Sequence, residues 1–96
     1  MMARPLAELR VLSMAHAVAM QAKCGVLRTS EIAALTGAVA ILREDDPARL
    51  PVVAFITSTR THGRQPAALI AAGGTLQQAV RRALWPADQG RSDLHG

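Results

Sequence analysis

The apolar side chains of this chain are small, and that limits how any core can be built. Nineteen of its 96 residues are alanine, and Phe55 and Trp85 are the only aromatics. Each buried position therefore withdraws less apolar area from water than a Leu- or Phe-rich core would. A single domain of this length buries about 64% of its unfolded surface, so the margin is thin and association with a copy or a partner is a reasonable expectation. Half of the residues are apolar, which excludes a charged disordered tail or a low-complexity linker.

A first helix is expected from Pro5 to Lys23, with proline acceptable in the first turn and Gly25 as the stop. On a helical projection Ala7, Val11, Met14, Ala15, Val18 and Ala22 share an arc of about 80°. That stripe lets another element approach closely. Leu6, Leu9 and Leu12 form a second apolar patch, so the helix is either central or shared between subunits. A second helix starts near Thr29 or Ser30, either of which can cap it, and runs through Ile32, Leu35, Val39 and Leu42. Glu44-Asp45-Asp46-Pro47 ends it, and Asp46 is placed to cap a short turn over Pro47 to Arg49.

Pro51 precedes Val52-Val53-Ala54-Phe55-Ile56-Thr57-Ser58-Thr59, the one dense β-branched run, which reads as a strand. Thr61 to Pro66 reads as a turn and Ala67 to Ala72 as a second, antiparallel strand, although its alanines also permit helix. Gly73-Gly74 then breaks the chain. Thr75 and Gln78 make a capping box for a last helix that closes at Trp85, before Pro86. The expected fold class is α+β: two N-terminal helices, a β-hairpin and a C-terminal helix in one small domain over residues 1–86, followed by a polar tail over 87–96 expected to fray.

Cys24 stands alone, which excludes an internal disulfide framework and suits a reducing, cytoplasmic setting. Val11 to Ala22 carries no formal charge but spans too few residues for the roughly 20 of a membrane helix. Arg4 and Arg10 ahead of that run resemble a signal peptide, but Glu8 and Lys23 interrupt the pattern, and no leader or membrane association is expected.

Charge is unevenly divided. Up to Asp46, Arg4, Arg10, Lys23, Arg28 and Arg43 are balanced by Glu8, Glu31, Glu44, Asp45 and Asp46. Between Pro47 and Ala87 the chain carries Arg49, Arg60, Arg64, Arg81 and Arg82 and no carboxylate. Arginine presents a planar fork suited to phosphate and carboxylate. Thr59-Arg60-Thr61-His62-Gly63-Arg64-Gln65, at the expected hairpin tip, is the densest polar cluster. The candidate binding residues are therefore Arg60, His62, Arg64, Arg81 and Arg82, although Arg81 and Arg82 are consecutive and point about 100° apart.

Other signatures are partial. Thr29 to Gly37 looks like the first half of a helix-turn-helix, but Ala38 to Leu42 is too apolar for a recognition helix. Gly73-Gly74-Thr75 could offer backbone N–H groups to an anion, yet lacks the glycines and Lys-Ser/Thr pair of a phosphate loop. Gly73 to Leu84 resembles the helix-opening segment of HicB-type antitoxins over about a dozen residues, without that family's acidic helix face; the resemblance implies a short strand pair ahead of the helix. His16 and Cys24 lie about 12 Å apart along a helix, and with His62 and His95 they suggest no zinc site. No cofactor motif is present.

The function expected on these grounds is a small non-enzymatic binding or regulatory protein. Its C-terminal arginine surface would meet nucleic acid backbone or an acidic protein partner. Two alternatives stand beside it. One is an interaction module, such as an inhibitor or accessory subunit, that dimerises or docks through the apolar faces of its first helix. The other is a small enzyme with a site at a dimer interface using His16, Cys24 or His62.

Overall fold

The structure, a computed structural model, describes residues 4–62 and 65–86. Among them it is all-helical: α1 (Leu6–Lys23), α2 (Thr29–Ala38), a 3₁₀ turn (Val39–Ile41), α3 (Arg49–His62) and α4 (Pro66–Leu84). The α+β expectation is thus overturned, and with it the β-hairpin. The single-domain boundary at residue 86 and the 87–96 tail touch segments outside the described residues.

The first helix behaves as read. It begins after Pro5, and its end is a Schellman turn in which the Gly25 N–H donates to Ala22 O and the Val26 N–H to Gln21 O. Gly25 holds φ at 78°, where a β-carbon is strained. Val11, Leu12, Ala15, Val18, Ala19 and Ala22 are buried. The expected stripe therefore faces inward from Val11 onward, joined by Leu12 and Ala19, while Ala7 is exposed. The α2 helix starts at Thr29, with Arg28 rather than Thr29 or Ser30 at the N-cap position. After it the chain tightens into the 3₁₀ turn, so no recognition helix follows Gly37 and the helix-turn-helix is not completed.

Both expected strands are helix. Val52 to Thr59 lies inside α3, where Val52, Phe55 and Ile56 are buried at spacings of three and one while Val53, Ala54 and Thr57 face out. That is a 3.6-residue pattern, and packing along it outweighs the modest helix penalty of β-branched residues. Ala67 to Ala72 opens α4, started by Pro66 in its first position. The strand pair implied by the antitoxin resemblance is therefore absent as well. Asp46 does cap the turn ahead of α3: its Oδ1 accepts from the Ala48 N–H at 3.0 Å.

Gly73-Gly74 does not break the chain; it lies in the middle of α4. Gly73 is buried, on the same stripe as Leu69, Leu76 and Val80. An added β-carbon there would stand 2.7 Å from the Ala22 Cβ, 2.8 Å from the Lys23 N and 2.9 Å from the Ala19 O. The glycine is thus what lets the backbones of α1 and α4 come together. Thr75 caps nothing; its hydroxyl donates back to Ala71 O at 3.2 Å, the usual recourse of a mid-helix threonine.

The α1–α4 pair is the most extensive helix contact, and it is antiparallel: Ala19 and Ala22 meet Gly73, Lys23 and Met20 bond Gln77, and His16 meets Trp85. The α3 helix packs on the same α4, and α2 with the 3₁₀ turn fills the space beside α1. The shortest dimension is 19 Å, which accommodates two helices stacked at about 10 Å each. Leu12, Leu35, Leu42, Val52, Leu76 and Val80 meet in the middle.

The two glycines should respond oppositely to alanine. Gly73→Ala forces a β-carbon onto the α1 backbone and is expected to cost about 1–3 kcal/mol. Gly74→Ala meets nothing within 4 Å and is expected to stabilise by about 0.5–1 kcal/mol through helix propensity. Urea unfolding of the two variants beside the parent checks both signs.

Candidate functional site

The last turn of α4 is where the surface becomes concave, and an ion-pair tether shapes one side of it. Arg4, just ahead of α1, donates from Nη1 to Asp46 Oδ2 at 2.6 Å and to Glu8 Oε1 at 2.9 Å, and from Nη2 to Asp46 Oδ1 at 3.1 Å. This fork holds the loop before α3 against the start of α1. The Asp46 side chain is only 9% exposed, so the pair sits in a weaker dielectric than a surface ion pair. The Arg4 hydrogen bond, helped by the Ala48 N–H, holds the Asp46 carboxyl below the ordinary aspartate range against the opposing effect of burial. Arg4 is raised correspondingly.

Beside the tether lies a cleft of about 840 Å³. Its walls come from the start of α1 (Leu9), the loop into α3 and the first turn of that helix (Pro47, Ala48, Pro51), and the end of α4 with the residues just after it (Ala79, Ala83, Leu84, Pro86). Eight of its ten lining residues are apolar, and the other two are Arg4 and Arg82. Arg4 is already neutralised by its two carboxylates. Arg82 has no carboxylate partner among the described residues. Leu6, one turn before Leu9 in α1, is 64% exposed and Leu50, which precedes Pro51 in sequence, is 73% exposed.

On the other side of α4 a shallower recess of about 350 Å³ is lined by His16, Met20, Gln77, Arg81 and Trp85. Arg81 and Arg82 therefore open onto different recesses, as consecutive positions on a helix dictate. The indole of Trp85 meets the His16 ring edge to face, with centroids 5.8 Å apart at 80°.

The remaining candidate residues sit elsewhere. Arg60 and His62 are exposed in the last turn of α3. His62 shares a small crease with Ala68, Leu69 and Ala72 at the beginning of α4, which puts it about 18 Å along that helix from Arg81. Arg64 falls outside the described residues. Arg60 and His62 thus form one group and Arg81 and Arg82 another, at opposite ends of α4. Arg49 turns inward and donates to Leu42 O at 3.1 Å. Cys24 is exposed past the end of α1 while His16 faces Trp85. No group of three metal-ligating side chains occurs among the described residues, and no helix among them is long and apolar enough to cross a membrane.

Sequence reasoning missed the cleft, whose walls come from three separate segments. Trp85, at the end of α4, is 48% exposed. Comparison with protein-family models, curated proteins and solved structures finds no significant match for the chain.

The tether has a pH signature. Because the folded Asp46 carboxyl titrates below its unfolded value, the stability it confers is complete above about pH 4 and is lost as pH falls through the folded value. Asp46→Asn keeps an acceptor for the Ala48 N–H but removes the charge. It is expected to cost about 1.5–3 kcal/mol at neutral pH and to flatten the acid side of the stability curve. Urea midpoints measured from neutral pH down to acid, for parent and variant, should converge at the acid end.

Proposed function

We propose that this chain is a non-enzymatic interaction module that takes an apolar, carboxylate-bearing segment of a partner protein in the cleft between the start of α1, the loop into α3 and the end of α4. The observation that carries the reading is Arg82, a guanidinium with no carboxylate partner among the described residues, on the wall of a cleft that is apolar apart from it and the neutralised Arg4. Apolar walls supply area, and a single oriented guanidinium supplies register and charge selectivity.

This reading joins the acidic-partner expectation to the docking expectation and narrows both. Of the two apolar faces of α1 first considered for docking, the stripe is buried from Val11 onward and so is Leu12 of the second patch, which leaves Leu6 and Leu9 of that patch as the available part. Of the arginines, Arg82 is assigned the partner contact, while Arg60 and His62 lie too far along α4 to share it. Contact with nucleic acid backbone is the rival, and it predicts a different dependence: every exposed arginine should count, and binding should fall steeply with salt.

The test is a titration of a labelled amphipathic peptide of leucine and glutamate, alongside duplex DNA and RNA, at low and high salt. The peptide is expected to bind with modest salt dependence. Arg82→Glu should weaken it about tenfold or more, Leu9→Ser should weaken it too, and Arg60→Glu should leave it unchanged. Absence of peptide binding, or tight DNA binding reduced equally by Arg60→Glu and Arg82→Glu, would overturn the proposal.

A further inference from the structure

The recess on the opposite side of α4 has a different chemistry. Gln77, Arg81 and Trp85 follow one another at four-residue intervals, so they form a row along α4 about 12 Å long. His16, Met20 and Lys23 form the facing row on α1. The rows are stitched together at one end by Gln77, whose Oε1 accepts from Lys23 Nζ at 2.6 Å and whose Nε2 lies 2.8 Å from Met20 Sδ. At the other end the His16 ring braces the Trp85 indole. Both ends are thus fixed, and Arg81 stands between them without a carboxylate partner among the described residues.

We propose that this seam binds a nucleotide unit, with the heterocycle stacked on the indole of Trp85 and the phosphate held by the Arg81 guanidinium. Four observations support it. The indole ends α4 half-exposed but oriented by His16, so a stacking surface is presented already ordered. Arg81 lies one turn away, about 6 Å along the axis, which matches the reach from a base to its own 5′-phosphate. Lys23 adds a second positive charge at the far end of the row. Among the described residues no carboxylate lines the recess, so none of them repels an anion there. An aromatic platform beside a basic track is the arrangement by which proteins hold nucleotides without reading base edges, and it tolerates any base. The same chemistry is offered by a free nucleotide and by one unit of a single strand.

Trp85 is the sole tryptophan and the chain has no tyrosine, so intrinsic fluorescence reports this site directly. The emission should be quenched saturably by adenosine monophosphate, by a short oligo(dA) strand, or by both. Saturation by the mononucleotide assigns a free nucleotide as source, whereas saturation by the strand alone assigns single-stranded nucleic acid. Unphosphorylated adenosine should bind more weakly than the monophosphate. Arg81→Ala is expected to reduce affinity about tenfold or more, and Arg60→Ala to leave it unchanged. Trp85→Ala removes the reporter, so its loss of binding is read by calorimetry. No saturable quenching by either probe, equal binding of adenosine and its monophosphate, or full affinity in Arg81→Ala would each overturn the proposal.

Discussion

The approach of α1 to α4 at Gly73 is the contact that determines the rest of the fold. With no β-carbon on Gly73, Ala19, Ala22 and the start of the Lys23 peptide unit can lie against the α4 backbone. A glycine in a helix interior is unfavourable by about 1 kcal/mol relative to alanine. Here that local penalty accompanies a contact that brings long stretches of two helices into van der Waals range. Small side chains bury little area individually, but they let backbones pack, and dispersion across a close-packed interface grows with the number of neighbours. The antiparallel pairing places the start of α1 beside the end of α4, where the larger cleft opens, while the second recess lies along the seam between the later half of α1 and residues 77–85.

The helices whose apolar spacing is unambiguous could be read from the residues themselves. Val11, Ala15, Val18 and Ala22 gave the inward stripe of α1, and Gly25 its end. Asp46 at the turn into α3 was equally legible, because the need to cap exposed N–H groups is local. The strands were misread for a reason that lies in competition between two signals. Val52 to Thr59 combines high β-propensity with helical burial spacing at Val52, Phe55 and Ile56, and tertiary packing follows the spacing. At Gly73 the local signal and the tertiary role point in opposite directions. The spacing of Leu69, Gly73, Leu76 and Val80 was the clue that the two glycines are inside a helix.

The candidate site was legible only in part, since a cleft has no single sequence address. Arg81 and Arg82 were singled out from the absence of acids in the later half of the chain, and their divergence followed from helix geometry. Their surroundings did not. Leu9, the Pro47–Pro51 stretch and Leu84 come from segments far apart in sequence, and it is the fold that brings them together. The separation of Arg60 and His62 from that end likewise depends on residues 67–72 being helix, because a hairpin would have folded the tip back toward the last helix.

The pairing of the first and last helices also sets the order in which order can be gained. The bond from Lys23 to Gln77 spans 54 residues, so seating α1 on α4 closes most of the described chain into a ring. Ring closure of this length is entropically slow to initiate but only weakly dependent on a few residues more or less. The segments inside the ring have little to hold them alone: α2 buries one residue of its own span, Leu35, completely. Their structure is therefore conditional on the clasp, and loosening either terminal helix would release the middle of the chain as one cooperative unit.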